Sequence, residues 1–245
     1  MFRFTFKKPD MLPFSEPEKI FFLDIETAPQ CAKFNQLPET WQKLWEQKAS
    51  TLKLEDTPEI SYRRAGIYAE FGRVVCVCIG RIVLQNKVPV LRIRTFCDAD
   101  ETSLLKKLAQ WLSRNITSEN RLCAHNGKEF DFPWMARRML INKIQLPNCL
   151  QLAGKKPWEV PHLDTLEMWK FGDYKHYTSL NLLAEIFGIQ SPKKNMDGHM
   201  VGEKYWNENA VEEIVQYCCE DVRTLAELSL IWASKPPLQA VEIIA

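Results

Sequence analysis

The sequence predicts an α/β protein with a mixed β-sheet, antiparallel at first and then parallel, and helices on both faces. Three observations predict it. The run from Lys19 to Ile25 is apolar almost throughout, as a central strand covered on both faces must be. Two further apolar runs, 73–83 and 90–96, flank a polar turn near Gln85–Asn86–Lys87 and read as a hairpin. After Glu101, strand-like and helix-like segments alternate, which packs helices onto the sheet.

The elements follow in order. After the first strand, the stretch from about 30 to 71 is polar, aromatic and irregular and reads as an insertion. Within it, PETWQKLWEQKAS suggests a helix; Trp41 and Trp45, four apart, share one face and more readily pack it onto a neighbour than stack on bases. Glu101–Asn115 places Leu104, Leu105, Leu108 and Leu112 at helical spacing. RLCAHN is a short strand, and DFPWMARRMLINK, with Asp131 and Pro133 at its start, opens as a helix. VPHLDT is another short strand. TSLNLLAEIFGI is a helix that Thr178 or Ser179 can cap and Gly188 can end. Residues 207–234 form one long helix or two abutting ones, stopped by Pro236–Pro237, with a tail beyond. The expectation is a single domain, 1–245, with a core from about 19 to 234 and short tails.

Composition narrows the function classes. Of the 245 residues 46% are hydrophobic and 26% charged, as in ordinary globular proteins. The net charge of +1 gives no global field toward nucleic acid, so any polyanion contact must be local. No stretch approaches the roughly 18 apolar residues of a membrane span, and the first residues lack the apolar segment of a signal peptide. Eight cysteines read as free thiols in a reducing cytoplasm, most of them buried as small hydrophobes. Neither Cys76/Cys78 nor Cys218/Cys219 has C-x-x-C spacing and no H-E-x-x-H occurs, so a zinc site is not expected.

Three acidic motifs carry the chemistry. The first is Asp24-Ile25-Glu26 at the end of the first apolar run. Residues i and i+2 of a strand share a face, so two carboxylates would project side by side and repel. A hard divalent cation turns that repulsion into binding. Taken alone, the triplet reads more readily as a strand ending in acidic loop residues. The second motif, AHNGKEFDF, lies in a loop between strand and helix, where sheet proteins place their chemistry. Asn126 can bond a ligand or hold the loop. Asp131 sits at a helix N-terminus and, alone, reads first as a cap. The third is QYCCEDVRTLAEL. Tyr217 and Asp221 are four apart on one helix face, and Asp221 falls near the apolar positions of Leu225 and Leu228. A carboxylate aimed at a core needs a cation or a set of donors.

Together, in this order, the motifs resemble the DEDD superfamily of 3′–5′ exonucleases with a ribonuclease H-like fold. Asp24 and Glu26 match its first motif. Asn126, Phe130 and Asp131 match the second, in the form found in proofreading domains of family B DNA polymerases. Tyr217 and Asp221 match the third in its tyrosine (DEDDy) form; the histidine form would need His where Gln216 stands. The match runs from about Lys19 to Ser234 with no polymerase domain, so the likeness is to a stand-alone exonuclease.

That resemblance implies two divalent cations, magnesium or manganese, held by Asp24, Glu26, Asp131 and Asp221. Asp24, Glu26 and Asp221 would hold the first ion with the attacking water, and Asp24 would bridge to the second, which Asp131 reaches and which faces the leaving 3′-oxygen. Tyr217 would orient the water. Thr27 would lie beside the terminal nucleotide, unless its hydroxyl serves as a cap, and Asn126 would help hold the strand. Phe130 would pack beneath the site or wedge a base. The implied partner is the 3′ end of single-stranded nucleic acid, DNA before RNA, and the implied product a nucleoside 5′-monophosphate. The alternatives are a degenerate nuclease that binds a 3′ end without cutting, and a structural protein whose acids are caps. Asp164 reads as a cap, His162, His176 and His199 as surface or core groups, and Arg63–Arg64 and KKPWEVPH as solvated charge able to touch phosphates.

Overall fold

The computed structural model describes residues 14–53, 56–173, 177–189 and 196–244. His176 and the leader reading of the first residues fall outside them.

Six strands form one sheet in the order β5-β4-β1-β2-β3-β6. β1 (Ile20–Pro29) pairs antiparallel with β2 (Gly72–Gln85), and β2 pairs antiparallel with β3 (Val88–Cys97). The β2–β3 turn is two residues, Asn86 and Lys87, both at positive φ (51° and 67°), the tight hairpin geometry that matches strand twist. β4 (Arg121–Ala124) adds parallel to β1, and β5 (Leu163–Asp164) parallel to β4. The mixed sheet, antiparallel and then parallel, is the one the sequence predicts.

The remaining elements are helical. The insertion carries α1 (Glu39–Thr51) and α2 (Pro58–Ser61). α3 (Glu101–Asn115), capped by Asp100 at 3.1 Å, and α4 (Asp131–Ile141) cover one sheet face. α5 (Thr165–Lys170) follows β5. α6 (Leu180–Ile186), capped by Ser179, packs with α7 (Val201–Trp206) and α8 (Val211–Trp232) on the other face. Helices therefore lie on both faces. α5 and α7 were not foreseen: at six residues each they fall below the length at which periodicity is readable.

Two expectations are corrected. The first strand does not stop at the acids; it runs on to Pro29, with Thr27, Ala28 and Pro29 paired to Val74, Arg73 and Gly72. The C-terminal stretch is not merely a tail: β6 (Ala240–Ile244) pairs parallel with β3, five residues in register with Val90–Arg94.

The alternation of β1 divides the core. Phe21, Leu23 and Ile25 face the α3–α4 layer, while Ile20, Phe22 and Ala28 face α8. Asp24 and Glu26 are in phase with the second set. Gly80 on β2 lets α8 sit down on the sheet, since a Cβ there would lie 2.5 Å from Val222 Cγ1. The insertion has an aromatic cluster of its own: fully buried Trp45 meets Tyr62 and Phe71 edge-on at 5.6 and 5.2 Å, and Trp41 meets Phe71. Both tryptophans therefore pack. Gln30 N–H to Phe71 C=O (2.8 Å) closes the insertion where it leaves the sheet.

Candidate active site

The chain leaves β1 toward β2 and β3 on one side, and returns to β4 and β5 on the other. Sheets of this kind bind ligands beyond the strand ends at such a switch point. The acids of the first and third motifs meet on β1 beside that point, with Asp131 of the second close to Asp24.

Asp24 and Glu26 are aimed at α8 by the strand period. After Glu26 the register breaks: Glu26 pairs with Cys76, but Thr27 pairs with Val74. Val75 and Cys76 consequently both face the α8 side, a β-bulge of the sort that re-aims side chains beside functional sites. Asp221 comes from α8, 7% exposed, inward as its spacing predicts. Carboxylate oxygens of Asp24, Glu26 and Asp221 all lie within 4.8 Å of one another.

Asp131, at the first turn of α4 in the opposite layer, stands outside that three-carboxylate cluster but near enough to Asp24 to feel its charge. It is 3% exposed. Burial first, and the Asp24 charge second, push its carboxyl well above the usual carboxylate range. Tyr217, half-buried one turn before Asp221, has its phenol raised by burial and then by the charges of Glu26 and Asp24. It remains a protonated donor at any ordinary pH. Glu220, next to Asp221 in sequence, is half-buried and paired with Arg223 at 3.0 Å.

The other named residues take supporting places. Asn126 adopts positive φ (62°), which Asn tolerates, and its N–H donates to Asp164 at 2.9 Å. Asp164 is a cap, as read: it receives the N–H groups of Leu166 and Glu167 at the start of α5. It also receives Lys128 N–H at 3.0 Å, so one buried carboxylate ties the Asn126 loop to β5. Phe130 is half-buried against the α3–α4 core, its ring 6.3 Å from Trp134. The Thr27 hydroxyl donates to Gly66 C=O at 2.8 Å, fastening the insertion to β1. His162 is buried: it accepts from Leu122 N–H, and its other ring nitrogen meets Cys149 C=O at 2.7 Å. His199 is at the surface.

One cluster was missed. Sγ atoms of Cys76, Cys78 and Cys218 lie within 4.8 Å of one another, with Cys219 Sγ 3.5 Å from Cys78 Sγ. Cys218 Sγ donates to Asp24 C=O at 3.3 Å, so these buried thiols floor the carboxylate site. C-x-x-C is the wrong template on a strand, where C-x-C already puts two thiols on one face.

The family described as "Predicted 3'-5' exonuclease related to the exonuclease domain of PolB" has a model that matches residues 67–226, well over half of the chain. The chain belongs to this family. It is thus an enzyme, a 3′–5′ exonuclease by family, and the matched range contains Asn126, Phe130, Asp131, Tyr217 and Asp221 but begins after Asp24 and Glu26. Among solved structures, the family B DNA polymerase from the hyperthermophilic archaeon Pyrobaculum calidifontis is similar in fold, with a TM-score of 0.51 at 16% identity over 87% of this chain. The chain spans 27% of that polymerase. No curated protein matches. Among the described residues, no helix is long and apolar enough to cross a membrane.

Proposed function

We propose that the chain is a metal-dependent 3′–5′ exonuclease that trims single-stranded nucleic acid, DNA in preference to RNA, and releases nucleoside 5′-monophosphates. The convergence of Asp24, Glu26 and Asp221 within 4.8 Å carries the reading, because a fold gains nothing by driving three carboxylates together without a cation. An all-oxygen donor set suits magnesium or manganese. Asp24, Glu26 and Asp221 would hold one cation, and Asp24 with Asp131 a second. When bound, the pair supplies Lewis acidity, a nucleophilic water and charge neutralisation at the phosphate.

The chain's own groups do the positioning. Tyr217, held protonated, donates to the attacking water and orients it rather than taking its proton. Asn126, fixed by Asp164, and the backbone at Thr27 hold the substrate strand. Phe130 packs beneath the site. We read the 245 residues as one exonuclease domain with an insertion at 30–71, a view supported by the insertion's separate aromatic cluster. A reducing cytoplasm is the compartment that suits its eight free cysteines.

The test uses 5′-labelled DNA and RNA oligonucleotides, single- and double-stranded, with magnesium, manganese or chelator. The expected result is a ladder shortening from the 3′ end, strongest on single-stranded DNA and abolished by chelator. Binding without cleavage in either metal would leave a degenerate 3′-end binding module instead.

A further inference from the structure

A cleft of about 520 Å³ opens from Thr27, the residue after Glu26. That is within the ~300–1,000 Å³ that small-ligand sites occupy. The insertion supplies one wall with Arg63, Arg64 and Ile67; β1 supplies Thr27 and Pro29; His199, just before α7, lies opposite. Backbone contacts set its shape. Gly66 lies so close to β1 that a Cβ would meet the Ala28 carbonyl carbon at 3.1 Å, and a Cβ on Gly202 would meet Pro29 Cδ at 2.9 Å. The arginine wall is therefore anchored to the strand that carries the acids.

The charge of the cleft is opposite to that of the carboxylate site. Arg63 and Arg64 line it, and among the described residues no acidic side chain does, although exposed Asp197 meets His199 at its edge at 3.3 Å. Arg63 meets Asp56 only at 3.4 Å with both side chains well exposed, a contact too weak to occupy it. With a net charge of +1 the chain has no long-range pull on a polyanion, and the buried acids repel one. A strand that reaches those acids needs cations fixed beside them. A planar guanidinium fork suits a phosphate, and Ile67, 47% exposed, offers an apolar face to a sugar or base.

We propose that this cleft binds the sugar–phosphate backbone of the substrate strand, with Arg63 and Arg64 each on a phosphate. The inference rests on the exonuclease reading and gives the insertion a role in it. Both arginines, like Asp24 and Glu26, lie before the matched range, which begins at residue 67.

The experiment is fluorescence anisotropy with a 5′-labelled oligothymidylate, in chelator so that nothing is cut, across a salt series. The Arg63→Gln/Arg64→Gln protein should bind roughly tenfold more weakly than the wild type at low salt, and its slope of log K against log[salt] should be shallower by about 1.4, at about 0.7 per single-strand phosphate. Arg63→Lys/Arg64→Lys should recover the slope, since charge is kept. Equal affinity and slope in wild type and Gln variant, with both folded by thermal melting, overturns the proposal; so does a wild type that does not bind. Anisotropy reads the arginines and the 3′ ladder reads the nuclease. Arginines that prove idle in an active enzyme are thereby told apart from a chain that binds through them but never cuts.

Discussion

Asp24 sits where three elements bring charge together: Glu26 on its own strand, Asp221 on α8 and Asp131 on α4. Without cations these carboxylates oppose folding; with cations they share a ligand. Asp24→Ala should abolish hydrolysis at every metal concentration. In chelator the same variant should melt higher than wild type, since relieving about 1 kcal/mol of repulsion raises Tm by ~2–4 °C in a domain this size. Full turnover in that variant, read on the 3′ ladder, would remove Asp24 from the chemistry. Asp131 makes a pH prediction. Its folded pKa is raised, so the folded state holds the proton more tightly than the unfolded chain, whose value is ~3.9. Asp131 therefore favours folding below about pH 4, and that contribution is lost as pH rises through the raised folded value. In chelator, the melting advantage of Asp131→Asn over wild type should grow from pH 4 to pH 8, and magnesium or manganese should shrink it. A gap that stays flat with pH would show that the buried carboxyl is not under this strain.

At the scale of elements, the site is a matter of how closely α8 lies on β1 and β2. Gly80 sets that distance: its missing Cβ would stand 2.5 Å from Val222 Cγ1 and 3.0 Å from Leu91 Cδ1. Val222 follows Asp221, so lifting the helix moves the carboxylate. Gly80→Ala should cost about 1–3 kcal/mol of stability through overpacking. It should also slow hydrolysis, measured well below the melting temperature, by more than an equally destabilising change under α3, such as Leu108→Val. Equal slowing by the two would mean that α8 repacks without moving Asp221. The contacts explain what the sequence reveals. The phase of Asp24 and Glu26 follows from the strand period, and the inward turn of Asp221 from its spacing to Leu225 and Leu228. The continuation of β1 is hidden because Glu26 and Thr27 end the apolar run, while pairing to β2 across the bulge keeps the strand going. The two-residue β5 and the six-residue α5 and α7 are held by tertiary contacts and leave no period to read. The placement of Arg63 and Arg64 on a cleft that opens from Thr27 depends on Gly66 meeting β1, a contact between residues some forty apart.

Across the whole molecule, the sheet separates chemistry from its far edge. The carboxylates come from β1, α4 and α8, whereas β6 lies beyond β2 and β3. β6 was hidden because it follows a proline pair and its side chains are largely exposed, with Ile243 at 62%. What holds it is main-chain pairing to β3, the Gln239 N–H to Pro89 C=O bond at 3.0 Å, and Glu242 bridging Arg92 and Gln85 at 2.7 and 3.1 Å. Ending the chain at Ser234 removes these and uncovers the edge of β3. Exposed ion pairs contribute little, but an unpaired edge strand is a template for other chains. The truncated protein should lose about 1–3 kcal/mol, near 3–10 °C in Tm, and should form higher-order species on size-exclusion chromatography as concentration rises. Its kcat on single-stranded DNA, taken at low concentration and temperature, should stay within about twofold of the full chain, because β2 and β3 stand between β1 and β6 in the sheet. Lost hydrolysis with an unchanged melting curve would contradict this and would make the far edge of the sheet part of the working enzyme.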